Sequence, residues 1–392
     1  MSFYPPKRTL MGPGPSDVNP RISQALSRPT IGHLDPQFIT LMDETKLLLQ
    51  YAFQTENELT LPISAPGSAG MEACFVNLIE AGDTVIICQN GVFGSRMKEN
   101  VIRIGATPIM VEDNWGEAID LNKVSETIKQ NPSAKALAFV HAETSTGVQS
   151  DAKAICQLAA NANMLSIVDT VTGLGGIPVA VDDWQADAVY SGTQKCLSCT
   201  PGLSPITFSK KAQDVITSRK TPVQSWFLDM NLVMGYWGEG AQRSYHHTAP
   251  INALYGLHEA LTILKEEGLE NSWQRHQHHH LALRAGLEAM GLNLIVDEAA
   301  RLPQLNAVSI PDSVNEAQVR SNLLNNRQLE IGAGLGQLAG KVWRIGLMGY
   351  SANPVNVRLC INALESALTE QGVKLNQGAA MNATNNYYAQ TN

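Results

Sequence analysis

The stretch 164-MLSIVDTVTGLGG-176 contains the pattern that decides the fold, an apolar run that ends in a carboxylate. A strand that is apolar on both faces is typical of a parallel sheet covered by helices on its two sides. The run DAKAICQLAANA (151–162) just before it has the spacing of an amphipathic helix, and ADAVYS (186–191) after it indicates another strand. This alternation predicts an α/β fold with a mostly parallel sheet.

The same alternation extends outward along most of the chain. Further strands are predicted at 84–88, 135–142, 203–209, 306–311 and 342–347. Further helices are predicted at 69–81, 250–267, 271–290, 315–326 and 356–371. We divide the chain into an N-terminal segment (1–19), a large domain (20–270), a small C-terminal α/β domain (271–375) and an Asn-rich tail (376–392), which we expect to be disordered.

Composition and charge exclude several classes of function. The chain has 392 residues, 44% of them hydrophobic, and a formal net charge of -8. An acidic surface argues against nucleic acid, whose phosphates require a basic footprint. No segment approaches the roughly 20 apolar residues of a membrane-spanning helix, and the N-terminus has no apolar signal core. We therefore expect a cytoplasmic protein without a membrane partner.

Six cysteines and a run of histidines are the candidates for metal or redox chemistry. Cys196 and Cys199 form a single CxxC, which is a weak zinc signal, and we expect reduced structural thiols. His276 and His280 are four residues apart on a predicted helix, but no carboxylate or cysteine completes a ligand set nearby. We expect a solvated helix face and predict no metal site.

The stretch 64-SAPGSAGMEA-73 is a candidate phosphate-binding turn. Small residues lead directly into an amphipathic helix, so backbone N–H groups of Gly67, Ser68 and Ala69 are available where the helix dipole favours an anion. A tight strand–helix turn uses the same residues for steric reasons, so this pattern alone leaves both interpretations open.

Asp169 and Lys195 are the candidate catalytic pair. Asp169 ends a predicted strand, where a carboxylate can act as a turn former or can face a ligand at the edge of the sheet. Lys195, in 190-YSGTQKCLSCTPG-202, has neutral, crowded neighbours, a setting in which a lysine loses its charge and becomes a nucleophile. Together with the phosphate-binding turn, the pair matches the needs of pyridoxal 5′-phosphate.

Several motifs in order make the chain recognisable between about residues 9 and 372. They closely resemble the alanine–glyoxylate and serine–pyruvate aminotransferases, in the class V branch of the fold-type I pyridoxal-phosphate enzymes. The resemblance implies a seven-stranded, mostly parallel sheet in the large domain. The motifs are GPGPSDVNPRI, GSAGMEA, NGVFGSRM, HAETSTGV, IVDTVTGLGG, YSGTQK, SRKTP, YHHTAP, GLENSW and GKVWRIGLMG.

The resemblance implies a role for each cofactor-binding residue. Lys195 matches the lysine that bonds to the cofactor aldehyde, and Asp169 matches the partner of the pyridine nitrogen. Phe93 stands where the family places an aromatic ring on the cofactor face, often a tryptophan, and Thr144 holds a Ser/Thr position near that ring. Gln194 resembles a phosphate ligand. Many members have histidine at the position of Ser68, which we expect to matter little because the backbone provides the donors.

The resemblance also implies a homodimer and a substrate-binding arginine. Tyr245 and Thr248 match phosphate ligands that reach across from the other subunit. Arg344 matches the arginine that binds the substrate α-carboxylate, for which its planar fork is suited. The backbone at Gly14 would form part of the wall on the substrate side.

Four alternatives to an alanine–glyoxylate transaminase remain open. Serine–glyoxylate and ureidoglycine–glyoxylate exchange are alternatives within the family, since the shape of the pocket decides and no motif reports it. A cysteine desulfurase shares the fold but needs a mobile, reactive cysteine, whereas Cys360 lies in a helical pattern. A non-enzymatic protein is disfavoured by the presence of Lys195, Asp169 and Arg344 together.

Overall fold

The computed structural model describes residues 2–238 and 243–391. The strands are β1 (Thr9–Leu10), β2 (Leu59–Ile63), β3 (Thr84–Gln89), β4 (Thr107–Glu112), β5 (Ala136–Val140), β6 (Ala142–Glu143), β7 (Val148–Gln149), β8 (Leu165–Asp169), β9 (Ala188–Tyr190), β10 (Ser204–Phe208), β11 (Leu305–Ser309), β12 (Leu329–Glu330), β13 (Gly332–Ala333) and β14 (Val342–Gly346).

The helices are α1 (Pro20–Leu26), α2 (Pro36–Phe53), α3 (Gly67–Leu78), α4 (Val92–Ile104), α5 (Leu121–Gln130), α6 (Ala152–Asn161), α7 (Val181–Trp184), α8 (Lys210–Thr217), α9 (Met230–Trp237), α10 (Ile251–Glu267), α11 (Leu269–Ala289), α12 (Glu316–Arg327), α13 (Pro354–Glu370) and α14 (Ala379–Thr391). Three short 3-10 turns lie at Glu298–Ala300, Gly336–Leu338 and Gly349–Ser351. Every strand and helix predicted from the sequence is present to within a few residues.

A seven-stranded sheet in the order β2-β10-β9-β8-β5-β3-β4 forms the centre of the larger part of the molecule. Strand β10 runs in the direction opposite to the other six strands, so the predicted α/β fold with a mostly parallel sheet is confirmed. Strands β5 and β8 are buried along their whole length, as their apolar sequences predict. Asp169 pairs in register with Tyr190, which brings the ends of β8 and β9 to one edge.

Two large hydrophobic cores are present among the described residues, and the division of the chain into two domains stays a prediction. The larger surrounds the seven-stranded sheet, and the smaller lies between a three-stranded sheet (β11-β14-β13) and helices α11, α12, α13 and α14. Strand β1 pairs with β12, so the N-terminal segment joins the smaller core. The boundary at 270/271 falls near the α10–α11 junction at Gly268, and its exact position stays a prediction.

The expectation of a disordered C-terminal tail is wrong, because α14 is a helix. Its residues Ala380, Thr384 and Tyr388, spaced four apart, are buried on one face. The side chain of Thr384 donates to the carbonyl of Ala282 in α11, and Tyr388 joins the smaller core. The Asn-rich composition describes the exposed face of this helix and not a disordered chain. No helix among the described residues is long and apolar enough to span a membrane.

Candidate active site

Lys195 lies in the turn that follows β9, and only 8% of the residue is exposed. Its Nζ donates a hydrogen bond to the carbonyl of Pro13. A Cβ atom at Gly14 would lie 2.5 Å from this Nζ, and the φ of +103° at Gly14 is a backbone conformation that favours glycine. Burial, and to a smaller extent Arg344, lower the pKa of Lys195 to about 8. A neutral amine is therefore accessible near neutral pH.

Asp169 is the last residue of β8 and is buried. Its Oδ2 accepts a hydrogen bond from Tyr190 Oη at 2.8 Å, and its Oδ1 accepts one from the amide of Val171 at 2.8 Å. Burial raises the pKa of Asp169 to about 7, against the opposing effect of these two hydrogen bonds. A cation that donates to this carboxylate would favour its ionised form.

Asp169 and Lys195 line one cavity of about 160 Å³, as expected for a residue at the end of β8 and a residue in the turn after the adjacent β9. Four more of the predicted site residues line it: Gly67, Ser68, Phe93 and Gln194. The remainder of the lining consists of Pro66, Met71, Arg96, Val171 and Tyr190.

The lining of the cavity includes backbone hydrogen-bond donors and an unpaired side-chain oxygen. Helix α3 begins at Gly67, so the amides of Gly67 and Ser68 precede its first regular hydrogen bonds. The amide of Ala69 donates to the carbonyl of Pro66 at 2.7 Å, and Ala69 is not among the lining residues, so its contact with a phosphate stays a prediction. Gln194 Oε1 is buried and has no hydrogen-bond partner among the described residues.

Arg344 and Thr144 lie beside the cavity and are not part of its lining. Arg344 is buried on β14, with Nε donating to the carbonyl of Ala333 at 2.7 Å and Nη1 to that of Thr144 at 3.2 Å. Burial lowers the pKa of Arg344 to about 10, so the guanidinium stays charged at neutral pH. The hydroxyl of Thr144 bonds to the hydroxyl of Thr172, and the place of Thr144 near the cofactor ring stays a prediction.

Tyr245 and Thr248 do not line the cavity of their own chain. Tyr245 is 61% exposed, Thr248 is exposed too, and their hydroxyl oxygens are 3.4 Å apart. Their predicted contact with the cofactor of another subunit stays a prediction.

The structure adds three polar residues that the sequence did not single out. Tyr190 fixes Asp169, and it stands at the start of the YSGTQK motif. Arg96, within NGVFGSRM, places its guanidinium 4.7 Å from the centre of the Phe93 ring. Glu143, within HAETSTGV, is fully buried and accepts from the amide of Phe93. The motifs contained all three, but only contacts between distant segments reveal their places.

Three of the four histidines in the run are buried, so the expectation of a solvated helix face is wrong. His276 Nδ1 bonds to the carbonyl of Ser272 at 2.6 Å, and its Nε2 accepts from the amide of Gly349 at 2.9 Å. His279 and His280 are buried as well and bond to Tyr388 and to Asn306. Burial lowers the pKa of His276 to about 3. Within 2–238 and 243–391, no three potential metal ligands cluster.

The residues around the cavity fit pyridoxal 5′-phosphate. Gly67 and Ser68 at the start of α3 and Gln194 all line the cavity, and a monoprotonated phosphate could accept from the two amides and donate to the unpaired Gln194 Oε1. A Cβ atom at Gly67 would lie 3.3 Å from Val171 Cγ2, so glycine keeps this turn open. Asp169 suits a protonated ring nitrogen, and Lys195 suits an aldehyde.

Comparison with known proteins points to one family. The model of the family described as aminotransferase class-V matches residues 21–351. The chain is 39% identical to (S)-ureidoglycine–glyoxylate transaminase of Bacillus subtilis (strain 168), over 98% of this chain and 96% of the relative. It is 40% identical to alanine–glyoxylate aminotransferase of Rattus norvegicus, over 93% and 88%. The crystal structure of alanine–glyoxylate aminotransferase from Nostoc sp. superposes with a TM-score of 0.92 at 45% identity, covering 94% of this chain and 97% of that one.

Proposed function

The chain belongs to the class V aminotransferase family, and we propose that it transfers an amino group from L-alanine to glyoxylate with pyridoxal 5′-phosphate as cofactor. The products would be glycine and pyruvate, formed in two half-reactions of a ping-pong cycle. The observation that carries the proposal is the single cavity shared by Lys195, Asp169 and the start of α3, with a buried, charged Arg344 beside it.

Each residue around the cavity has a physical role in this reaction. When bound, pyridoxal phosphate supplies an aldehyde carbon for the amino group and a ring that accepts electrons. Asp169 would hold a proton on the ring nitrogen, and Arg344 would bind the substrate carboxylate with its planar fork. Lys195, with its pKa lowered to about 8, would accept and return the proton of the substrate Cα.

The number of carboxylates on the substrate follows from the positive charges around the cavity. Arg344 is the cation expected for the α-carboxylate, and Arg96 is the other arginine nearby. Arg96 is exposed and lies over the ring of Phe93, so we do not assign it to a second substrate carboxylate. This arrangement favours small monocarboxylic amino acids. L-serine belongs to the same class as L-alanine and is therefore a second candidate donor.

Ureidoglycine is a further candidate donor. The observation that favours it is the similarity to the B. subtilis ureidoglycine–glyoxylate transaminase, which spans 98% of this chain. The desulfurase alternative is disfavoured because Cys360 is buried in α13 within the smaller core, and burial raises the pKa of its thiol to about 12. We also propose a homodimer in which Tyr245 and Thr248 complete the neighbouring site.

The test is the absorbance spectrum of the purified protein with pyridoxal phosphate, before and after L-alanine and then glyoxylate. We expect the cofactor band to disappear with alanine and return with glyoxylate. Lys195→Ala should reduce turnover by about a thousandfold through loss of proton transfer, whereas Lys210→Ala, an exposed control, should not. A larger kcat/KM for serine, ureidoglycine, aspartate or glutamate than for alanine would replace the proposed donor.

A further inference from the structure

Glu143 is a fully buried carboxylate to which the proposed reaction assigns no role. Its Oε1 accepts from the amide and the hydroxyl of Ser145, at 3.0 and 2.6 Å. Its Oε2 accepts from the amide of Phe93 at 3.2 Å. The Ser145 hydroxyl in turn accepts from the amide of Val92 at 3.0 Å. Burial raises the pKa of Glu143, whereas the hydrogen bonds that Ser145 and Phe93 donate to the carboxylate favour its ionised form.

Together, Glu143 and Ser145 cap helix α4 from a distant part of the chain. The helix begins at Val92 after Gly91, which has no side chain to cap it. A carboxylate next to a helix N-terminus satisfies its free amides and is attracted by the helix dipole. Because the capped amide belongs to Phe93, the same contact sets where that aromatic ring stands in the cavity wall.

Gly91 shows independently that this packing is close. A Cβ atom there would lie 2.3 Å from the Glu143 carboxyl carbon and 2.5 Å from Ser145 Oγ. The φ of Gly91 is -178°, an extended backbone that any residue adopts. Glycine is therefore required by the volume of the Glu143 side chain and not by the conformation of the backbone.

Thr144, which lies between Glu143 and Ser145, contacts the arginine assigned to the substrate carboxylate. The carbonyl of Thr144 accepts from Arg344 Nη1 at 3.2 Å. Glu143 is also the negative charge that favours the charged form of Arg344. One short segment thus anchors the ring assigned to the cofactor face and the guanidinium assigned to the substrate carboxylate.

We infer that Glu143 is a positioning residue that fixes the positions of Phe93 and Arg344 relative to each other. The inference rests on the proposed function, since it takes the roles of both residues from it. Its specific consequence is that loss of the Glu143 carboxylate weakens cofactor binding and substrate binding together, although Glu143 lies outside the cavity lining.

The test compares Glu143→Gln with Glu99→Gln, which changes an exposed carboxylate on helix α4 itself. The side-chain NH2 group introduced by Glu143→Gln would face an N–H donor, so one hydrogen bond to a buried amide is lost. We expect about a tenfold rise in the cofactor dissociation constant, measured by titration of the cofactor-free protein. The KM for L-alanine and for glyoxylate should rise by about the same factor. Glu99→Gln should change neither.

Two further variants keep the test decisive if Glu143→Gln folds poorly, and Ser145→Ala is the milder of the two. Ser145→Ala removes only the bridging hydroxyl, and Gly91→Ala displaces the carboxylate without removing it; each should shift both constants in the same direction. A variant that lowers only the melting temperature, or that moves only one of the two constants, overturns the inference. The titration of the wild-type protein distinguishes a failure of this inference from a failure of the proposed function. A wild-type protein that binds no pyridoxal phosphate would contradict the proposed function itself.

Discussion

At the scale of single residues, burial brings the pKa values of Lys195 and Asp169 towards each other. Both groups lose hydration in the cavity wall, which lowers the pKa of the amine to about 8 and raises that of the carboxyl to about 7. Near neutral pH both therefore change protonation state easily. Such shifts are typical of groups that exchange protons with a ligand.

The effect of Arg344 on Lys195 predicts how pH controls cofactor attachment. The free amine attacks the aldehyde, so the rate of reconstitution should rise with pH and level off above about pH 8. In Arg344→Gln a nearby positive charge is lost, the pKa of Lys195 rises, and the profile should move to higher pH. Stopped-flow absorbance of cofactor-free protein mixed with pyridoxal phosphate measures the rate of reconstitution at each pH. Arg103→Gln, on the exposed surface, is the control, and superimposable profiles for all three proteins would contradict the prediction.

Asp169 predicts a pH dependence of stability in the cofactor-free protein. Its pKa in the folded state, about 7, lies above the ordinary 3.8, so the folded state binds more protons between these values. The contribution of Asp169 to the free energy of unfolding therefore falls as pH rises across this interval. Buried His276 acts in the opposite direction, since its pKa is lowered to about 3. The measurement is the difference between wild type and Asp169→Asn in denaturant unfolding. A difference that does not change with pH would rule out the assignment.

At the scale of secondary structure, α14 shows how a polar segment becomes a helix through contact with another helix. Tyr388 bonds through Oη to His279 Nδ1 on α11 at 2.9 Å, and the Arg358 guanidinium lies 4.9 Å from its ring centre. An isolated helix of this length is only marginally stable in water. Its buried face, and not its composition, therefore keeps it folded.

Tyr388→Ala should destabilise the protein without affecting the reaction. Removing a buried aromatic side chain costs about 3 kcal/mol of the free energy of unfolding, through lost burial and the cavity left behind. Chemical denaturation measures the loss, with Asn386→Ala on the exposed face of α14 as the control. The KM for both substrates should stay at the wild-type value. Equal stability of the two variants would mean that α14 does not pack on α11 in solution.

At the scale of the whole molecule, the cavity is formed by one chain, but two predicted phosphate ligands remain at its surface. Tyr245 is exposed and does not line the cavity. The same surface carries two further exposed aromatic residues, Trp226 and Phe227, close to His246 in the adjacent segment. Exposed aromatic side chains in a group are typical of a subunit interface.

The proposed exchange of Tyr245 between subunits predicts complementation. Lys195→Ala and Tyr245→Ala homodimers should each have low activity. A hybrid dimer contains one site with an intact Lys195 and an intact Tyr245 from the neighbour, so mixing after mild denaturation should restore activity that neither parent shows. Refolding each variant alone is the control. If the mixture stays at the level of its parents while hybrid dimers form, Tyr245 acts within its own chain or has no role.

The sequence by itself determined the order of seven strands and six helices, and the residues whose chemistry suits pyridoxal phosphate. Both are local properties, because hydrophobic periodicity and motif spacing are written in neighbouring residues. This is why the apolar run ending in Asp169 predicts both a buried strand and a carboxylate at the edge of the sheet. Lys195 was predictable in the same way, from the neutral residues around it.

Only the tertiary structure decided which polar groups are buried and what they touch. Ala69 is not among the residues that line the cavity, three of the four histidines of α11 are buried, and Glu143 reaches the amide of Phe93 from 50 residues away. Desolvation and hydrogen bonding depend on atoms that distant segments bring together, and no local pattern encodes them. The pKa values of Lys195 and Asp169 belong to this second group, because the same side chains in an exposed turn would titrate normally.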